Sequence, residues 1–288
     1  MHVEECCQAL LAYLLPSVDP LRRGIAVDIG VGTFAFYCEV FADLGFDTIA
    51  VEPRPIAALQ YACRKKGIKL LEACISDKQG PVRLYLGAYQ GVQDTNLNSL
   101  LPDWWGSSTQ FCEVQSQRFS DLLDNIGKRG LTCLKMDVEG TELDIINQLE
   151  IPEEDKLPDV LMFEYGGGST LREGKGGWSP SRLEATLQCF SVLKRLGYSQ
   201  TVIVDSSPLC QERVLDLQAV PLCSESFFLG DYIYGNAITM RRTFISENSI
   251  RKVCKPYRDN KLPAPAVQTG RGKGERFLRR IWRAFGNV

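Results

Sequence analysis

The sequence predicts an α/β fold: a mostly parallel sheet of seven strands with helices on both of its faces. Short apolar runs of strand length alternate with longer segments in which apolar residues recur at helical spacing, a pattern typical of parallel sheets covered by helices. The 288 residues suffice for one large domain or two small ones with an ample core. With 44% hydrophobic and 24% charged residues, the composition is that of an ordinary globular enzyme.

The elements follow one another in a regular order along the chain. The seven strands are predicted in residues 25–29, 48–51, 70–75, 131–136, 160–164, 200–204 and 232–240. Helices are predicted in residues 35–44, 56–66, 120–126, 142–149 and 180–196. Gly80-Pro81 predicts a turn that leads into an extra strand pair beginning at 82–86. We expect residues 87–106 to form a loop over a site, and residues 166–177 to form a mobile loop at the carboxyl end of a strand.

Three segments are predicted along the chain: a helical N-terminal cap at 1–24, a main domain at 25–245, and a linker with a basic tail at 246–288. In the tail, apolar residues share one helical face and basic residues are concentrated. Three alternatives remain open for the tail helix. It docks on its own domain, it lies on an anionic membrane surface, or it belongs to a third class in which it binds a partner or is disordered. For the membrane reading, the contacts are predicted to come from Arg276, Arg279, Arg280 and Trp282.

Composition and charge argue against several classes of function and several cellular locations. The net charge of −2 gives no general basicity for a nucleic-acid partner, and no Asn-Pro-Pro-Tyr-type motif of base-flipping enzymes occurs. No apolar run reaches the roughly 18–20 residues that a membrane span needs. Glu4 and Glu5 stand where a secretion signal is basic. The eleven cysteines form no CxxC pair and resemble reduced core residues. We therefore expect a cytoplasmic protein, peripheral to the inner face of a membrane if the tail binds lipid.

The only histidine of the sequence is His2. This excludes catalytic triads, Cys–His catalysis, His-ligated zinc and a histidine general base. Proton transfer must use Asp, Glu, Lys, Tyr or Cys.

The first candidate site is a glycine turn at the end of the first predicted strand. Gly30 and Gly32 follow Asp28 closely, and the turn opens a helix, so the backbone can approach a ligand. Glu52 ends the next strand, where a carboxylate can accept both ribose hydroxyls. Gly30-x-Gly32-x-x-Ala35 also fits a dinucleotide fingerprint, or a turn that binds nothing. A carboxylate at Asp28 would repel a pyrophosphate at short range, which favours the cationic S-adenosylmethionine over NAD.

The second candidate site is the end of the strand at 131–136. Lys135 and Asp137 share one face of this strand, and charges there are costly unless they meet solvent, partners or a ligand. Glu139 and Glu142 also suit a helix N-terminus, which explains Glu142 better than the others. Glu164 ends the next strand, so an acidic crevice is expected at the carboxyl edge of the sheet.

Five segments occur in the order seen in FkbM-type methyltransferases, and the sequence resembles this family over roughly residues 25–240. The segments are Val27-Asp28-Ile29-Gly30, Val51-Glu52-Pro53, Ile75-Ser76-Asp77-Lys78-Gln79-Gly80, Leu134-Lys135-Met136-Asp137-Val138-Glu139-Gly140-Thr141-Glu142 and Tyr234-Gly235-Asn236. Gly32 stands where the family usually has Asn, and Phe34 where it has the last Gly, so an altered cofactor pocket is expected. The resemblance implies a Rossmann-like class I methyltransferase that uses S-adenosylmethionine (SAM) and methylates a hydroxyl of a sugar, glycan or secondary metabolite.

The resemblance also implies the cofactor contacts. It assigns them to Asp28, Gly30, Gly32, Glu52, Ser76 and Asp77. The first three would line the methionine and ribose end of SAM, and Glu52 would hold the ribose hydroxyls. Ser76 and Asp77 would lie beside the adenine, although Asp77 also fits ordinary turn chemistry.

For catalysis the candidates are Asp137, Glu139, Lys135 and Glu164. A sugar hydroxyl is a poor nucleophile, so a base or a metal should help to remove its proton. Asp137 is the first candidate, either as the base or, together with Glu139, as a ligand of a divalent metal. Because the ligand atoms would be oxygens, Mg²⁺ is the favoured metal. Lys135 either positions an anionic substrate or steadies Asp137. The loop tryptophans stack on the acceptor or pack on the domain surface: Trp104, Trp105 and Trp178.

Two other functions remain open from the sequence. One is an NAD(P)-dependent oxidoreductase on a Rossmann fold, which would bind NADH instead of SAM. The other is a non-catalytic interaction protein on a SAM-binding fold, which the Phe34 replacement makes plausible.

Overall fold

The computed structural model describes residues 2–89, 91–104, 106–127, 129–150, 154–166, 180–205, 210–228 and 234–258. The predicted loop at 167–177 and the basic tail with its proposed membrane contacts lie outside these residues, as do Trp105 and Trp178.

Twelve strands and eight α-helices occur in the described residues. The strands are β1 (Ile25–Ile29), β2 (Asp47–Val51), β3 (Lys69–Leu71), β4 (Cys74–Ile75), β5 (Gly80–Tyr89), β6 (Val92–Gln93), β7 (Ser107–Gln117), β8 (Leu131–Met136), β9 (Val160–Gly166), β10 (Gln200–Asp205), β11 (Gln211–Asp216) and β12 (Tyr234–Met240). The helices are α1 (His2–Val18), α2 (Phe36–Asp43), α3 (Ala57–Lys66), α4 (Phe119–Ile126), α5 (Glu142–Asn147), α6 (Pro180–Arg195), α7 (Ser224–Phe227) and α8 (Glu247–Cys254).

The main sheet has eight strands in the order β11-β10-β12-β9-β8-β1-β2-β3. The five strands from β9 to β3 pair in parallel, while β12 runs antiparallel to both β9 and β10. The predicted α/β fold with a mostly parallel sheet is confirmed, and the sheet is mixed at one end. The predicted count of seven strands was one short, because β11 adds an antiparallel edge strand to β10.

The predicted strand at 70–75 is two strands in two different sheets. β3 ends at Leu71 after pairing with β2, and β4 then pairs with β7 in a second sheet of order β4-β7-β5-β6. The extra strand pair predicted after Gly80-Pro81 is the antiparallel pair of β5 and β7, with each strand longer than the sequence indicated. The segment that joins them, of which residues 91–104 are described, passes over the carboxyl edge of the main sheet.

Both faces of the main sheet are covered by apolar side chains. One face packs against α4, α5 and α6, and the other against α1, α2 and α8. α1 contributes an apolar stripe that includes Leu10 and Leu14, and Ile250 of α8 packs into the same cluster. The predicted linker therefore begins with a helix that belongs to the core, and the remaining domain boundaries stay a prediction.

All eleven cysteines are free thiols, and most are buried, in agreement with small core residues. Among the described helices, none combines the length and the apolar character that crossing a membrane would require.

Candidate active site

A cleft of about 630 Å³, partly open to solvent, lies at the carboxyl edge of the main sheet. Its walls come from the ends of β1, β2 and β8, and loop residues 95, 96 and 98 cover one side. From β1 the chain continues to β2 on one side, while β8 pairs with β1 on the other side. Parallel sheets bind ligands at such a switch point. Of the loop predicted at 87–106, residues 95, 96, 98 and 100 line the cleft, while 87–89 belong to β5 and 92–93 form β6.

The glycine turn after β1 is built so that only glycines fit. Gly30 has a φ of +77°, and a Cβ there would lie 1.8 Å from the carbonyl oxygen of Asp137. Gly32 has a φ of +65°, and its Cβ would lie 2.5 Å from Asn96 Oδ1. Left-handed backbone and close approach both require glycine. Both glycines line the cleft, as the sequence predicted.

Glu52 lies beside this turn at the end of β2 and is 5% exposed. Its carboxylate accepts hydrogen bonds from the backbone N–H of Gly32 at 2.9 Å and of Arg54 at 3.0 Å. Burial raises the pKa of Glu52, and these two N–H groups oppose the rise. Each carboxylate oxygen can accept a further hydrogen bond, so Glu52 can still bind hydroxyls of a ligand in the cleft.

Asp28, predicted as a cofactor contact, has its side chain inside the sheet. It pairs in register with Lys135 of β8, its Oδ1 lies 3.0 Å from Lys135 Nζ, and Cys38 Sγ contacts Oδ2 at 3.5 Å. Asp28 is 1% exposed and is not among the residues that line the cleft. Because Lys135 neutralises it inside the sheet, its charge is not presented to a cofactor. Burial raises the pKa of Asp28, and Lys135 opposes the rise.

Lys135 is a buried positioning residue, and it does not line the cleft. Besides Asp28 it contacts Asp137 Oδ2 at 3.6 Å and the carbonyl oxygen of Gly30 at 3.4 Å. Burial lowers the pKa of its ammonium, but Asp28 and Asp137 together raise it above the ordinary value, so Lys135 keeps its charge. Of its two predicted roles, the geometry fits the steadying of Asp137.

Tyr37 extends this buried network. Its ring lies 5.2 Å from Lys135 Nζ, and its hydroxyl donates to Glu4 of α1 at 2.6 Å. Asn236 of β12 donates to the other oxygen of Glu4 at 3.0 Å. The N-terminal helix is thereby connected to the strand ends beneath the cleft.

Three carboxylates form an acid cluster of Asp137, Glu139 and Glu164, in which one oxygen of each residue lies within 4.8 Å of the others. Asp137 and Glu164 directly follow the β8–β9 pair Met136 and Phe163, which explains their closeness. The pKa values of Glu139 and Glu164 are well above the ordinary value because the carboxyl groups are desolvated in these half-buried positions and Asp137 lies nearby. Such a cluster can hold a proton or a cation.

The acid cluster is fixed on one side by the loop that follows β5. Trp104 Nε1 donates a hydrogen bond to the Glu139 carboxylate, and Ser99 Oγ donates to the Glu139 carbonyl at 2.6 Å. Glu139 itself has a φ of +54°, which is uncommon for a residue other than glycine. Backbone conformations of this kind cluster at functional sites. A Cβ on Gly140 would lie 2.3 Å from the Trp104 ring, so the indole packs directly on this turn.

A second, smaller cavity of about 280 Å³ lies on the other side of Trp104 and Glu139. Glu164, Glu142 and Arg182 line it together with Trp104. Glu142 accepts hydrogen bonds from the N–H groups of Val138 at 3.0 Å and Gly140 at 3.4 Å. Burial raises the pKa of Glu142 to about 7.

Two predicted cofactor contacts lie outside the first cleft. Ser76 is buried and stabilises its own turn: its Oγ accepts from Lys78 N at 3.0 Å and contacts Ser116 Oγ at 2.7 Å. Asp77 is exposed and does not line the cleft. Their neighbours 73–75 do line it, and the contacts of Ser76 and Asp77 with a cofactor stay a prediction. Phe34 stacks on Phe36 at 5.0 Å and is also absent from the lining, so it does not crowd the cleft.

Sequence reasoning assigned no role to four residues that the structure brings to the two cavities. Asn96 Oδ1 accepts from the N–H of Thr33 at 2.8 Å, and Thr95 and Asn98 also line the cleft. In the sequence, the irregular polar segment that contains these residues predicted a loop over a site. It did not indicate which of its residues would face that site. Arg182 carried no signal, since nothing in the helical pattern of α6 distinguishes it from a surface arginine.

Residues 25–199 match the family model described as the methyltransferase FkbM domain, more than half of the chain. The chain belongs to the FkbM methyltransferase family. The predicted family is confirmed, and membership in a methyltransferase family argues against an oxidoreductase.

Solved structures of other methyltransferases resemble this chain at low identity. A SAM-dependent methyltransferase from Thermotoga maritima, a possible histamine N-methyltransferase, is 16% identical, with 82% of this chain and 92% of that chain covered at a TM-score of 0.34. The magnesium protoporphyrin IX methyltransferase of Synechocystis PCC 6803 with bound SAH is 10% identical, with 83% and 84% covered at 0.36. A geranyl diphosphate methyltransferase in complex with SAM is 12% identical, with 83% and 85% covered at 0.38. No curated protein matches the chain.

Proposed function

We propose that this FkbM-family protein transfers a methyl group from SAM to a hydroxyl of a sugar, glycan or secondary metabolite. The observation that carries the proposal is that two groups of residues line one cleft. The first group is the glycine turn with Glu52, and the second is formed by Asp137 and Glu139 of the acid cluster. A donor site and a proton-accepting site therefore share one wall.

The first cleft fits SAM by its shape and its chemistry. The turn of Gly30 and Gly32 leaves room that a Cβ would fill, and Glu52 offers a carboxylate to ribose hydroxyls. The carboxylates that line the cleft are those of Glu52, Asp137 and Glu139, and Asp28 is not among them. When bound, SAM supplies a methyl group activated by its sulfonium, so the protein needs only to orient the acceptor near 3 Å and to exclude water.

Asp137 is the residue best placed to receive the proton of the acceptor hydroxyl. It lines the cleft, and Lys135 at 3.6 Å keeps its carboxylate oriented without covering it. Glu139 and Glu164 complete the cluster around it. A base at this point raises the nucleophilicity of the hydroxyl as the methyl group is transferred.

The acid cluster also fits a divalent cation by the chemistry of its donors. Asp137, Glu139 and Glu164 would hold the ion through oxygen atoms, which Mg²⁺ prefers. A bound ion would lower the pKa of an acceptor hydroxyl. Chelation by EDTA separates the two roles of Asp137, because loss of turnover that Mg²⁺ restores would favour the metal, and unchanged turnover would favour the base.

Calorimetric titration with S-adenosylhomocysteine, SAM and NADH tests the proposal. We expect the first two to bind and NADH to remain unbound, and Glu52→Gln to weaken binding of both by about tenfold or more. Glu113→Gln is the matched control, since Glu113 lies on β7 away from the cleft. Binding without transfer to any hydroxylated acceptor would favour the non-catalytic reading, and tight NADH binding would overturn the proposal.

A further inference from the structure

The second cavity shares the acid cluster with the first cleft but has a different character. Glu164 of the cluster lines it, and Trp104 and Gly140 form the wall toward the first cleft. Its volume of about 280 Å³ is less than half that of the first cleft by the same measure. It therefore suits one small group that extends past the reacting hydroxyl.

Arg182 supplies the positive charge among the described residues that line this cavity. Its side chain is 20% exposed, and its guanidinium lies 5.7 Å from the centre of the Trp104 ring. The aromatic face and the N-terminal turn of α6 fix the position of the guanidinium, so a ligand would meet a preorganised cation.

The hydrogen bonding of Arg182 is incomplete within the described part of the chain. Nη2 contacts Asp103 Oδ1 at 3.3 Å, but Nε is buried and has no hydrogen-bond partner there. A buried N–H of a guanidinium without an acceptor is costly, and carboxylate or phosphate oxygens are the acceptors that match its planar geometry best.

Asp103 does not replace such a ligand. It is 74% exposed, and exposed ion pairs contribute little because water screens them. Thr186, which also lines the cavity, is engaged elsewhere, because its hydroxyl donates to the carbonyl oxygens of Gly166 and Arg182 at 3.0 Å each. Besides the carboxyl groups of Glu142 and Glu164, the described lining thus holds the buried Arg182 Nε, a donor without an acceptor among the described residues.

We propose that Arg182 binds an anionic group, a carboxylate or a phosphate, of the methyl acceptor. The acceptor would place its hydroxyl at the acid cluster and its anionic group in the second cavity. The substrate class is then a hydroxylated anion, such as a sugar acid or a sugar phosphate, and neutral sugars bind weakly. This inference rests on the proposed function and names the acceptor class for the same site.

Three sugars with the same ring test it: glucose, glucuronate and glucose 6-phosphate. Each is titrated into the full-length protein saturated with S-adenosylhomocysteine, and binding is followed by ligand-observed NMR. We expect glucuronate or glucose 6-phosphate to bind about tenfold more tightly than glucose, and the tighter of the two identifies the carboxylate or the phosphate.

Three variants separate a binding role from a structural one. R182Q should abolish the preference for the anion while leaving the affinity for S-adenosylhomocysteine within about twofold of wild type. R182K should retain part of the preference, because it keeps the charge and loses the planar donor geometry. R195Q is the matched control on the same helix, where Arg195 pairs with Glu150 at 2.8 Å and is 55% exposed; it should bind as wild type does.

Equal affinity for the three sugars, failure of both anions to bind, or an anion preference that survives in R182Q would each overturn the inference. A protein that does not bind S-adenosylhomocysteine would overturn the proposed function instead, so the two failures are distinguishable.

Discussion

The buried pair of Asp28 and Lys135 and the acid cluster differ in how their charges are satisfied, although both arise at strand ends of the same sheet. Asp28 and Lys135 face each other across β1 and β8 and are 2% and 4% exposed at their side chains. In the acid cluster three carboxylates lie together and are half-buried, and Asp137 shares Lys135 with Asp28 at the longer distance of 3.6 Å.

This difference shows that the neighbour on the next strand matters for the use of a carboxylate, since Asp28 pairs in register with Lys135 whereas Glu164, inside β9, pairs with Asn236. Asp28 lies one residue inside the end of β1, where its neighbour on β8 is a lysine. Asp137 lies one residue beyond the end of β8 and faces the cleft. A charge that meets its partner inside the sheet is neutralised there, whereas a carboxylate that faces a cavity can serve a ligand. We therefore expect stability to depend on the pair and chemistry to depend on the cluster.

The largest effect is expected on the side of the cluster. Asp137→Asn should reduce methyl transfer by about 10²–10⁴-fold, because the variant can neither accept a proton nor hold a cation well. Binding of S-adenosylhomocysteine should be retained. Asp124→Asn, an exposed aspartate on α4, is the control and should react as wild type does. Full turnover in Asp137→Asn would remove the distinction between the two regions.

On the side of the pair, the expected effect is on the free energy of unfolding. Lys135→Met leaves Asp28 buried without its partner and should lower that free energy by about 3–5 kcal/mol. Urea denaturation followed by circular dichroism measures it. Lys66→Met is the matched control, since Lys66 pairs with Asp43 at the surface, with side chains 24% and 30% exposed, and should change stability by about 1 kcal/mol or less. Equal losses in the two variants would contradict the comparison.

The sequence predicted the sheet well because buried strands leave long apolar runs. It predicted the cluster because Asp137, Glu139 and Glu164 all follow such runs. The partner of Asp28 could not be predicted, since pairing depends on the register of β1 against β8, which no local pattern contains. The division at 70–75 was missed for a similar reason, because two adjacent apolar pieces pair with different sheets.

Glu142, which lines the second cavity, gives a smaller effect that depends on pH. Burial raises its pKa from 4.5 to about 7, so the folded state binds a proton that the unfolded chain has released. The contribution of Glu142 to the free energy of unfolding is fully present below pH 4.5 and is lost as the pH rises through about 7. The total loss is up to about 3 kcal/mol. Glu142→Gln should therefore lose less stability than wild type between about pH 5 and about pH 8.

Urea unfolding at several pH values measures this difference. Glu150→Gln, in the 3₁₀ turn that follows α5, is the control, because Glu150 is 42% exposed at its side chain. Its pH profile should follow that of wild type. Identical profiles for Glu142→Gln and wild type would show that Glu142 keeps its ordinary pKa in the folded protein.

The smallest effect is expected on cofactor binding when the buried pair is replaced as a unit. Asp28→Leu combined with Lys135→Met removes both charges and leaves neither unpaired, so stability should recover relative to Lys135→Met alone. Because Asp28 does not line the cleft, the affinity for S-adenosylhomocysteine should stay within about threefold of wild type by calorimetry. Glu52→Gln provides the contrast, since Glu52 lines the cleft and its loss should weaken binding. The double variant could instead lose binding as strongly as Glu52→Gln does. The buried pair would then contribute to cofactor binding and would belong to the binding site.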